Sequence, residues 1–574
     1  MYHAISEFEQ ASPFLSEISE QIWQMKYQYA SDGQVYDGAV FDTWRRVAKS
    51  LAVNESVKSQ NHFEIEFYNA MQGFKFVPAG RILAGAGTSR NVTLFNTFVM
   101  RTLPDSLPGI CDTIKEAALT MQMGGGLGYD FSTVRPRGMT VRGLDCPAAG
   151  PLAAMDICDA MCKMLVSCSG RGAMMATLRC DHPDIEAFVQ AKQDPARLRN
   201  FNLSVSVTDA FVEAVKADAP WQLVWKGQVV RQLSARALWN QIMQRNYDAA
   251  EPGVLFIDRI NHMNPLRYAE DIAATNSCAE QPLPPFGACP LSAINMARLV
   301  SNPFQSDAAL DLAELRRLVR IGVRMLDNVI DISQLPLPEQ RHEAQEKRRI
   351  GLGVMGIADA LAMAGETYGS DRAAAVLSGW MREIQNTAYR ASIELAQERG
   401  AFPCFDADRH LESPTVARLD PDVREGIAKH GLRNGLLTTL APTGTTALLA
   451  GNVSSGIEPI FSTSFIRRIT REDGTKEEQE VVDYAVALHR RRHGRDAPLP
   501  ESVVTAMTLS PMDHVKMQAA AQTWIDSAIS KTVNCPEDIS FDDFQDIYLA
   551  AYERGCKGCT TYRPNAVTGA VLAA

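Results

Sequence analysis

Residues 274–296 have the types and the spacing that chemistry on a small substrate requires. Asn276, Cys278 and Glu280 alternate along this segment, and a second cysteine, Cys289, follows at a short distance. In an extended chain, alternate side chains share one side and lie roughly 6.6 Å apart. A small substrate would then contact an amide, a thiol and a carboxylate together, whereas the alternative is a buried structural cysteine. The proline-rich run that follows excludes a helix, so we predict a shaped loop.

A second candidate site is the sequence A-P-T-G-T-T, which follows the apolar run 436–440. A strand that ends in such a turn can present backbone N–H groups and threonine hydroxyls to a phosphate. The alternative is an ordinary capped turn, because threonine is a good N-cap. The residues concerned are Pro442, Thr443, Gly444, Thr445 and Thr446.

Three glycine-containing segments complete the set of motifs. Glycines at 124, 125, 126 and 128 would let a ligand approach the backbone closely, although a plain flexible loop is the alternative. The loop Gly170, Arg171, Gly172 and Ala173 offers a guanidinium to an anion or a base. Residues 351–356 fit G-x-G-x-x-G, but a dinucleotide site needs a preceding strand and none is predicted there. We expect tight backbone packing before a helix instead.

Periodicity indicates the elements that must position these motifs. Residues 16–73 carry apolar side chains at helical spacing and predict a small helical layer: Ile18, Ile22, Met25, Trp44, Val47 and Leu51. Strands are predicted at 92–100, 127–131, 201–207, 221–230 and 254–258, and helices at 108–123, 151–167, 234–247 and 310–332. This alternation predicts an α/β fold in which a closed barrel fits the pattern.

The chain is therefore divided into a helical N-terminal region, 1–75, and an α/β catalytic domain, 76–574. A charged surface insertion is expected near 467–500, where Asp473-Gly474 indicates a hairpin. The net charge of −10 argues against a protein that coats nucleic acid. Twelve scattered cysteines and a polar N-terminus predict reduced thiols in the cytoplasm, and the apolar runs are too short for a membrane span. No metal-binding signature is present.

Taken together and in order, the motifs resemble the catalytic subunit of ribonucleotide reductase. The resemblance covers roughly residues 21–572 and is closest to the adenosylcobalamin-dependent class II ribonucleoside-diphosphate reductases. It rests on G-G-G-L-G-Y-D-F, G-R-G-A-M-M-A-T-L-R-C-D-H-P-D-I, N-S-C-A-E-Q-P-L-P-P-F-G-A-C, R-R-I-G-L-G-V-M-G, A-P-T-G-T-T-A-L-L-A-G-N-V-S-S-G-I-E-P-I-F and G-C-K-G-C-T-T-Y-R-P. It implies a ten-stranded α/β barrel, a homodimer, a nucleotide effector and a thioredoxin-like dithiol reductant.

The resemblance also implies a role for each site residue. A thiyl radical on Cys278 would take hydrogen from the 3′ carbon of the ribose, Glu280 would act as general base, and Asn276 would orient the hydroxyls. Cys289 would be one member of the redox pair. Pro442–Thr446 would hold the phosphates, residues 170–173 would link effector to base choice, and Asn96, Thr97, Gly125 and Gly126 would line the substrate pocket.

The sequence departs from the family pattern at the other redox position, where Thr97 replaces the expected cysteine. Cys556 or Cys559 could serve instead, an external reductant could enter, or the chain could be inactive. Near the C-terminus, Thr560 and Thr561 stand where the iron-dependent class has a radical-carrying tyrosine pair, which favours cobalamin. The remaining alternatives are an iron-dependent large subunit with a radical-generating partner, and a nucleotide-binding paralogue without turnover.

Overall fold

The computed structural model describes residues 13–141, 143–169, 172–194, 196–470 and 476–565. The N-terminal region forms three helices, Glu17–Lys26, Val40–Ala52 and Gln60–Met71. Trp44, Val47 and Leu51 are buried on one face of the second helix, as their spacing predicts. Met25 is the exception, because two-thirds of its surface is exposed. The side chain of Glu55 ties this region to the rest of the chain, accepting from Arg324 at 2.9 Å and from Arg399 at 2.6 Å.

An eight-stranded sheet forms the centre of the molecule. Five parallel strands lie side by side in chain order: Thr97–Val99, Gly126–Asp130, Met174–Arg179, Phe201–Val207 and Gly253–Phe256. Ala288–Cys289 pairs antiparallel with the first of them. Gly558–Tyr562 pairs antiparallel with the last, and Thr532–Asn534 lies parallel to it at the far edge.

A three-stranded sheet lies beside the first and is made of Phe76–Pro78, Leu291–Asn295 and Gly351–Met355. The described strands therefore form an eight-stranded sheet, a three-stranded sheet and six two-stranded hairpins, not one ten-stranded sheet. Of the three glycines of G-x-G-x-x-G, Gly351 and Gly353 lie within the strand Gly351–Met355, and Gly356 directly follows it. A Cβ on Gly353 would stand 2.5 Å from the carbonyl oxygen of Thr439, so the predicted tight backbone packing is confirmed. The helix Ile357–Met363 follows directly.

Helices cover the sheets. The long ones are Leu107–Gln122, Pro151–Ser169, Ala235–Ala249, Leu312–Ile332, Pro338–Lys347, Asp371–Arg399, Pro421–His430, Tyr484–His493, Pro511–Gln522 and Phe541–Glu553. Shorter ones are Gly80–Gly85, Ile185–Val189, Asp209–Lys216, Ile257–Met263, Ala407–Leu411, Pro414–Ala417 and Gly444–Leu449. Among the described residues, no helix is long and apolar enough to cross a membrane.

Short hairpins lie at the surface and next to the site. They pair Ala30–Ser31 with Gln34–Val35, Thr140–Val141 with Cys146–Pro147, Pro220–Trp225 with Gln228–Ser234, Ala274–Thr275 with Pro282–Leu283, Val300–Ser301 with Ala309–Leu310, and Ser464–Thr470 with Lys476–Val482. The last is the hairpin of the charged segment, and its predicted Asp473-Gly474 turn lies outside the described residues. The single strand predicted at 221–230 is wrong, because the chain reverses at Lys226-Gly227, both with positive φ.

Candidate active site

Residues 273–283 form a narrow hairpin, here called the finger loop, that carries the thiol at its tip. The backbone N–H of Asn276 donates to the Gln281 carbonyl at 3.1 Å. The side-chain Oδ1 of Asn276 accepts from the Gln281 N–H at 2.9 Å. Ala279 adopts a left-handed conformation with φ of 64°, which completes the turn. The extended arrangement predicted from the alternation is therefore wrong: Asn276, Cys278 and Glu280 meet on a turn.

The parallel strands hold one side of the finger loop. A Cβ on Gly128 would lie 1.8 Å from the Thr275 carbonyl oxygen, so only glycine lets the loop pass this close. Thr177 Oγ1 donates to the Ala273 carbonyl at 3.0 Å. Farther along, Asn202 Nδ2 donates to the Ser277 carbonyl at 2.8 Å.

The opposite half of the molecule holds the other side of the loop at Glu280. Its carbonyl oxygen accepts from the Ala528 N–H at 3.0 Å and from Thr439 Oγ1 at 2.8 Å. Hydrogen bonds to backbone carbonyls thus hold the loop tip from both sides. Of the side chains at 276, 278 and 280, only Asn276 takes part in holding the loop, through its Oδ1.

A cavity of about 250 Å³, here called the front cavity, opens in front of the finger loop. It brings together residues that the sequence placed in three separate motifs. These are Asn96, Thr97, Asn276, Cys278, Glu280, Pro442, Thr443, Gly444, Thr445 and Thr446. Tyr27 of the N-terminal region also lines it, and no sequence signal pointed to that residue.

The Glu280 carboxyl group is buried and incompletely satisfied. Only 2% of the residue is exposed, and its Oε2 has no hydrogen-bond partner among the described residues. Burial raises the pKa of Glu280 from 4.5 to about 7, although the hydrogen bond from Asn276 acts in the opposite direction. A carboxyl group with this pKa and a free oxygen facing a cavity can take up or release a proton near neutral pH.

The Cys278 side chain is surrounded by many protein atoms, but its surface is exposed to the cavities that flank it. Burial, and secondarily the neighbouring Glu280 carboxyl, raises the pKa of Cys278 to about 12. The side chain therefore stays protonated at physiological pH. A thiol of this kind is poorly suited to nucleophilic attack or metal binding, which need the thiolate. It keeps the S–H hydrogen that hydrogen-atom transfer requires.

A second cavity of about 250 Å³, here called the rear cavity, reaches the thiol from behind. It shares Ser277 and Cys278 with the front cavity. Its wall includes Gln518, whose buried Oε1 lacks a partner among the described residues. Lys531 also lines it, with its ammonium group 2.8 Å from His514 Nδ1 and bonded to Glu458. Neither Gln518 nor Lys531 lies in a motif that sequence reasoning could have singled out.

The turn at 442–446 has the geometry of an anion cradle. Thr443 is left-handed with φ of 54°, and its Oγ1 accepts from the Gly456 N–H at 2.9 Å. The helix Gly444–Leu449 begins immediately, so the first-turn N–H groups at 444–446 have no intrahelical acceptor. They lie at the wall of the front cavity, where backbone donors attract negative charge.

Cys289 lies directly opposite Thr97 in the antiparallel strand pair, and Thr97 Oγ1 donates to the Cys289 carbonyl at 3.0 Å. The thiol is fully buried in an apolar cluster with Val99, Leu283 and Leu291, among others. That cluster contains no second cysteine. The position facing Cys289 is therefore occupied by a hydroxyl group that cannot form a disulfide.

Cys556 and Cys559 lie elsewhere. Both are buried, and burial raises the pKa of Cys556 to about 12 and that of Cys559 well above its usual range. Cys559 pairs with Val254 across two strands and lines the rear cavity. Neither cysteine lines the front cavity.

The glycine-rich motif lines a third cavity of about 800 Å³, here called the side cavity. Gly124, Gly125 and Gly126 form one wall, and Gly172 and Ala173 form another. Gly170 and Arg171, the other members of the predicted specificity loop, lie outside the described residues.

Comparison with known proteins agrees with this arrangement. Residues 96–562 match the barrel-domain model of ribonucleotide reductase, and residues 13–91 match the all-alpha-domain model. The chain belongs to the ribonucleotide reductase family. The family resemblance read from the sequence is thus confirmed, including the helical N-terminal region and the mixed α/β barrel domain.

Reductases of this family are similar along most of their length. A vitamin B12-dependent ribonucleoside-diphosphate reductase of Mycobacterium tuberculosis is 37% identical over 93% of this chain and 77% of its own. One of Thermoplasma acidophilum is 33% identical over 98% of this chain and 72% of its own. A ribonucleoside-diphosphate reductase large subunit of variola virus is 27% identical over 71% of this chain and 57% of its own.

Proposed function

We propose that the protein is an adenosylcobalamin-dependent ribonucleotide reductase that converts ribonucleoside diphosphates to 2′-deoxyribonucleoside diphosphates. The observation that carries the proposal is the pairing of a protonated Cys278 thiol with a half-satisfied Glu280 carboxyl at the wall of one cavity. The relatives from Mycobacterium and Thermoplasma are named vitamin B12-dependent ribonucleoside-diphosphate reductases, which supports the same reaction and cofactor.

In this proposal Cys278, as a thiyl radical, takes the hydrogen atom from the 3′ carbon of the ribose and later returns it. Glu280 removes the proton from the 3′ hydroxyl, for which a pKa of about 7 is suited. Asn276, with its Oδ1 held by the loop backbone, keeps its amide beside Glu280 and the ribose hydroxyls. The phosphates bind at the turn Thr443–Thr446, whose backbone donors face the same cavity.

Adenosylcobalamin supplies, when bound, the radical that starts the reaction at Cys278. The rear cavity fits an approach from that side, because it reaches the thiol without crossing the front cavity. Gln518, with its unsatisfied Oε1, and Thr532 would contact the part of the cofactor that reaches this cavity of about 250 Å³, since an orphaned buried acceptor calls for an amide or hydroxyl donor. Thr560 and Thr561 have no ring to oxidise, which disfavours radical entry from a second subunit.

Loss of the 2′ hydroxyl as water consumes two electrons and two protons, which two thiols supply as they form one disulfide. Cys289 provides one thiol of the family pair, but Thr97 faces it. We infer that the second thiol comes from a dithiol protein of the thioredoxin type or from a small thiol. Cys556 and Cys559 are the internal alternative, disfavoured by their place away from the front cavity.

A homodimer and a nucleotide effector are also proposed. Helices Leu107–Gln122 and Pro151–Ser169 pack together and expose Leu119, Ile157 and Met164, each at least 41% accessible. Such an apolar face supports pairing with a second copy. Gly172 and Ala173, at the end of the predicted specificity loop, line the side cavity, which supports a link between an effector and the choice of base.

The ten-stranded barrel is proposed as the arrangement that joins the two sheets. Single parallel bridges link Leu352 to Thr438 and Leu440 to Ile529. These bridges lead from the strand Gly351–Met355 of the three-stranded sheet toward the strand Thr532–Asn534 at the edge of the eight-stranded sheet. At the other edge, only one residue separates Ala288–Cys289 of the eight-stranded sheet from Leu291–Asn295 of the three-stranded sheet. Both junctions support a ring of two five-stranded halves. The division into residues 1–75 and 76–574, with the insertion near 467–500, remains our proposal for the domains.

The test is to incubate the purified chain with adenosylcobalamin, a ribonucleoside diphosphate and dithiothreitol, and to measure deoxynucleotide by chromatography. Cys278→Ser is the matched control, since it keeps size and hydrogen bonding but removes the S–H group. Turnover by the unmodified chain and not by this variant is expected. Equal product from both proteins, or none from either, would refute the proposed reaction.

A second candidate function is nucleotide binding without turnover, which the Thr97–Cys289 pair specifically favours. Under this alternative the cavities bind nucleotide and no product forms with any thiol reductant. A single turnover detected with stoichiometric protein and strong reductant would exclude it.

A further inference from the structure

Packing does not fix the position of the Cys278 sulfur atom. The side chain is exposed, lines both the front and the rear cavity, and belongs to none of the apolar clusters of the described residues. A cysteine side chain has three staggered positions about its Cα–Cβ bond. Hydrogen exchange with groups in both cavities requires one defined sulfur position, so another contact must select it.

Ser277 supplies such a contact. Its Oγ lies 3.8 Å from Cys278 Sγ, within the range of a hydrogen bond to sulfur. Among the described residues, this is the only hydrogen bond that either side chain makes. Ser277 is itself buried, with 8% of its surface exposed, and Asn202 Nδ2 holds its carbonyl at 2.8 Å. The hydroxyl group therefore has a defined place beside a thiol that packing does not hold.

We propose that Ser277 is a positioning residue whose hydroxyl holds the Cys278 sulfur between the two cavities; the inference rests on the proposed reductase function. A hydroxyl group can accept from an S–H group and can also donate to a sulfur that carries no hydrogen. The contact therefore persists when Cys278 gives up its hydrogen atom on the rear side and takes one from the ribose on the front side. A backbone carbonyl, which only accepts, would lose the contact at that step.

The experiment compares Ser277→Ala, which lacks the hydroxyl group, with Ser277→Thr, which retains it. Ser56→Ala is the matched control, because Ser56 Oγ contacts the Ser59 hydroxyl at an exposed site. The first measurement is the rate at which iodoacetamide alkylates Cys278 at pH 9, with neither cofactor nor nucleotide, followed by peptide mass spectrometry. Because the pKa of Glu280 is about 7, this neighbouring carboxyl is ionised in every variant at pH 9.

The hydroxyl group also stabilises the thiolate that reacts with iodoacetamide, since a donated hydrogen bond favours the charged form. Ser277→Ala is therefore expected to slow alkylation of Cys278 roughly 3- to 10-fold, whereas Ser277→Thr keeps the rate of the unmodified chain.

The second measurement is kcat and KM with adenosylcobalamin and a ribonucleoside diphosphate. In Ser277→Ala the sulfur is distributed over several rotamers or displaced by about 1 Å, which is expected to lower kcat roughly 3- to 100-fold. KM is expected to stay unchanged, because the phosphate turn and the other side chains of the finger loop are retained. Ser277→Thr is expected to restore kcat.

Faster alkylation of Ser277→Ala would overturn the proposal, since it would show that the hydroxyl group only fills space at the loop tip. An unchanged alkylation rate would overturn it too, and so would an unchanged kcat. Slower alkylation in a chain that shows no turnover would support the contact between Ser277 and the sulfur while refuting the reductase function, because alkylation requires neither cofactor nor nucleotide.

Discussion

Replacing Glu280 by glutamine is expected to stabilise the protein above neutral pH while removing its activity. The unfolded carboxyl ionises near pH 4.5 and the folded one near pH 7, because burial penalises the charge. Between these values the folded chain holds an extra proton, so stability falls as pH rises from 4.5 to about 7 and stays low above it. A displacement from 4.5 to about 7 corresponds to about 3 kcal/mol. Glutamine has the same shape and no charge to bury.

The corresponding change in melting temperature is small but measurable. At about 2.1 cal/mol/K per residue, the unfolding entropy of 574 residues is about 1.2 kcal/mol/K, so 3 kcal/mol shifts Tm by 2 to 3 °C. Calorimetry at pH 5 and pH 8.5 should show Glu280→Gln melting above the unmodified chain mainly at the higher pH. Glu553→Gln, at an exposed position, is the matched control.

The same variant should lose turnover about 10²- to 10⁴-fold, the usual contribution of a general base. Turnover of the unmodified chain should rise with pH around a midpoint near 7, because Glu280 must be ionised to accept the proton. A Tm difference that is identical at the two pH values would show that the carboxyl is not desolvated. A Glu280→Gln enzyme with full activity would refute its role as the base.

Three further outcomes are expected. Gly128→Ala should displace the finger loop, because its Cβ would meet the Thr275 oxygen at 1.8 Å, and should abolish turnover; Gly379→Ala, with open space around its Cβ, should leave turnover unchanged and raise Tm. Thr97→Cys should form a disulfide with Cys289 on oxidation, because the Cβ atoms of directly opposed strand residues lie about 5 Å apart. The disulfide is detected as a mass loss of about 2 Da, which the control variant Thr97→Cys/Cys289→Ser should not show. Cys278 should alkylate with iodoacetamide at pH 8 far more slowly than Cys111 and Cys146, although all three are exposed, because a thiol of pKa about 12 is about 10⁻⁴ ionised at that pH. Peptide mass spectrometry measures the rates, and equal rates would contradict the protonated state of Cys278.

The spacing of apolar residues correctly predicted those helices and strands in which each side chain is buried or exposed according to its own polarity. The helices Leu107–Gln122 and Pro151–Ser169 and the strand Phe201–Val207 were predicted to within two residues. The reversal at Lys226-Gly227 was missed because alternation continues across it and only a single glycine marks the turn. The family motifs then supplied the barrel domain, which periodicity alone could not distinguish from other α/β folds.

The site itself depends on contacts between distant parts of the chain. Residues 276, 278 and 280 were identified from their types, but their turn conformation requires Asn202, Thr439 and Ala528, which no local pattern connects to them. Thr97 was assigned opposite Cys289 by resemblance, and the strand register places it there. Gln518 and Lys531 belong to no motif, because their importance comes only from the rear cavity that they line.

The finger loop also separates the front cavity from the rear cavity. The described residues common to the walls of the front and rear cavities are Ser277 and Cys278, so the two cavities lie on either side of the loop tip. A hydrogen atom can be passed from one cavity to the other by a change of bonding at the Cys278 sulfur, without any molecule moving between the two cavities. Under the proposed function, the group that starts the radical and the nucleotide that reacts can therefore occupy different cavities, and the width of one hairpin separates them.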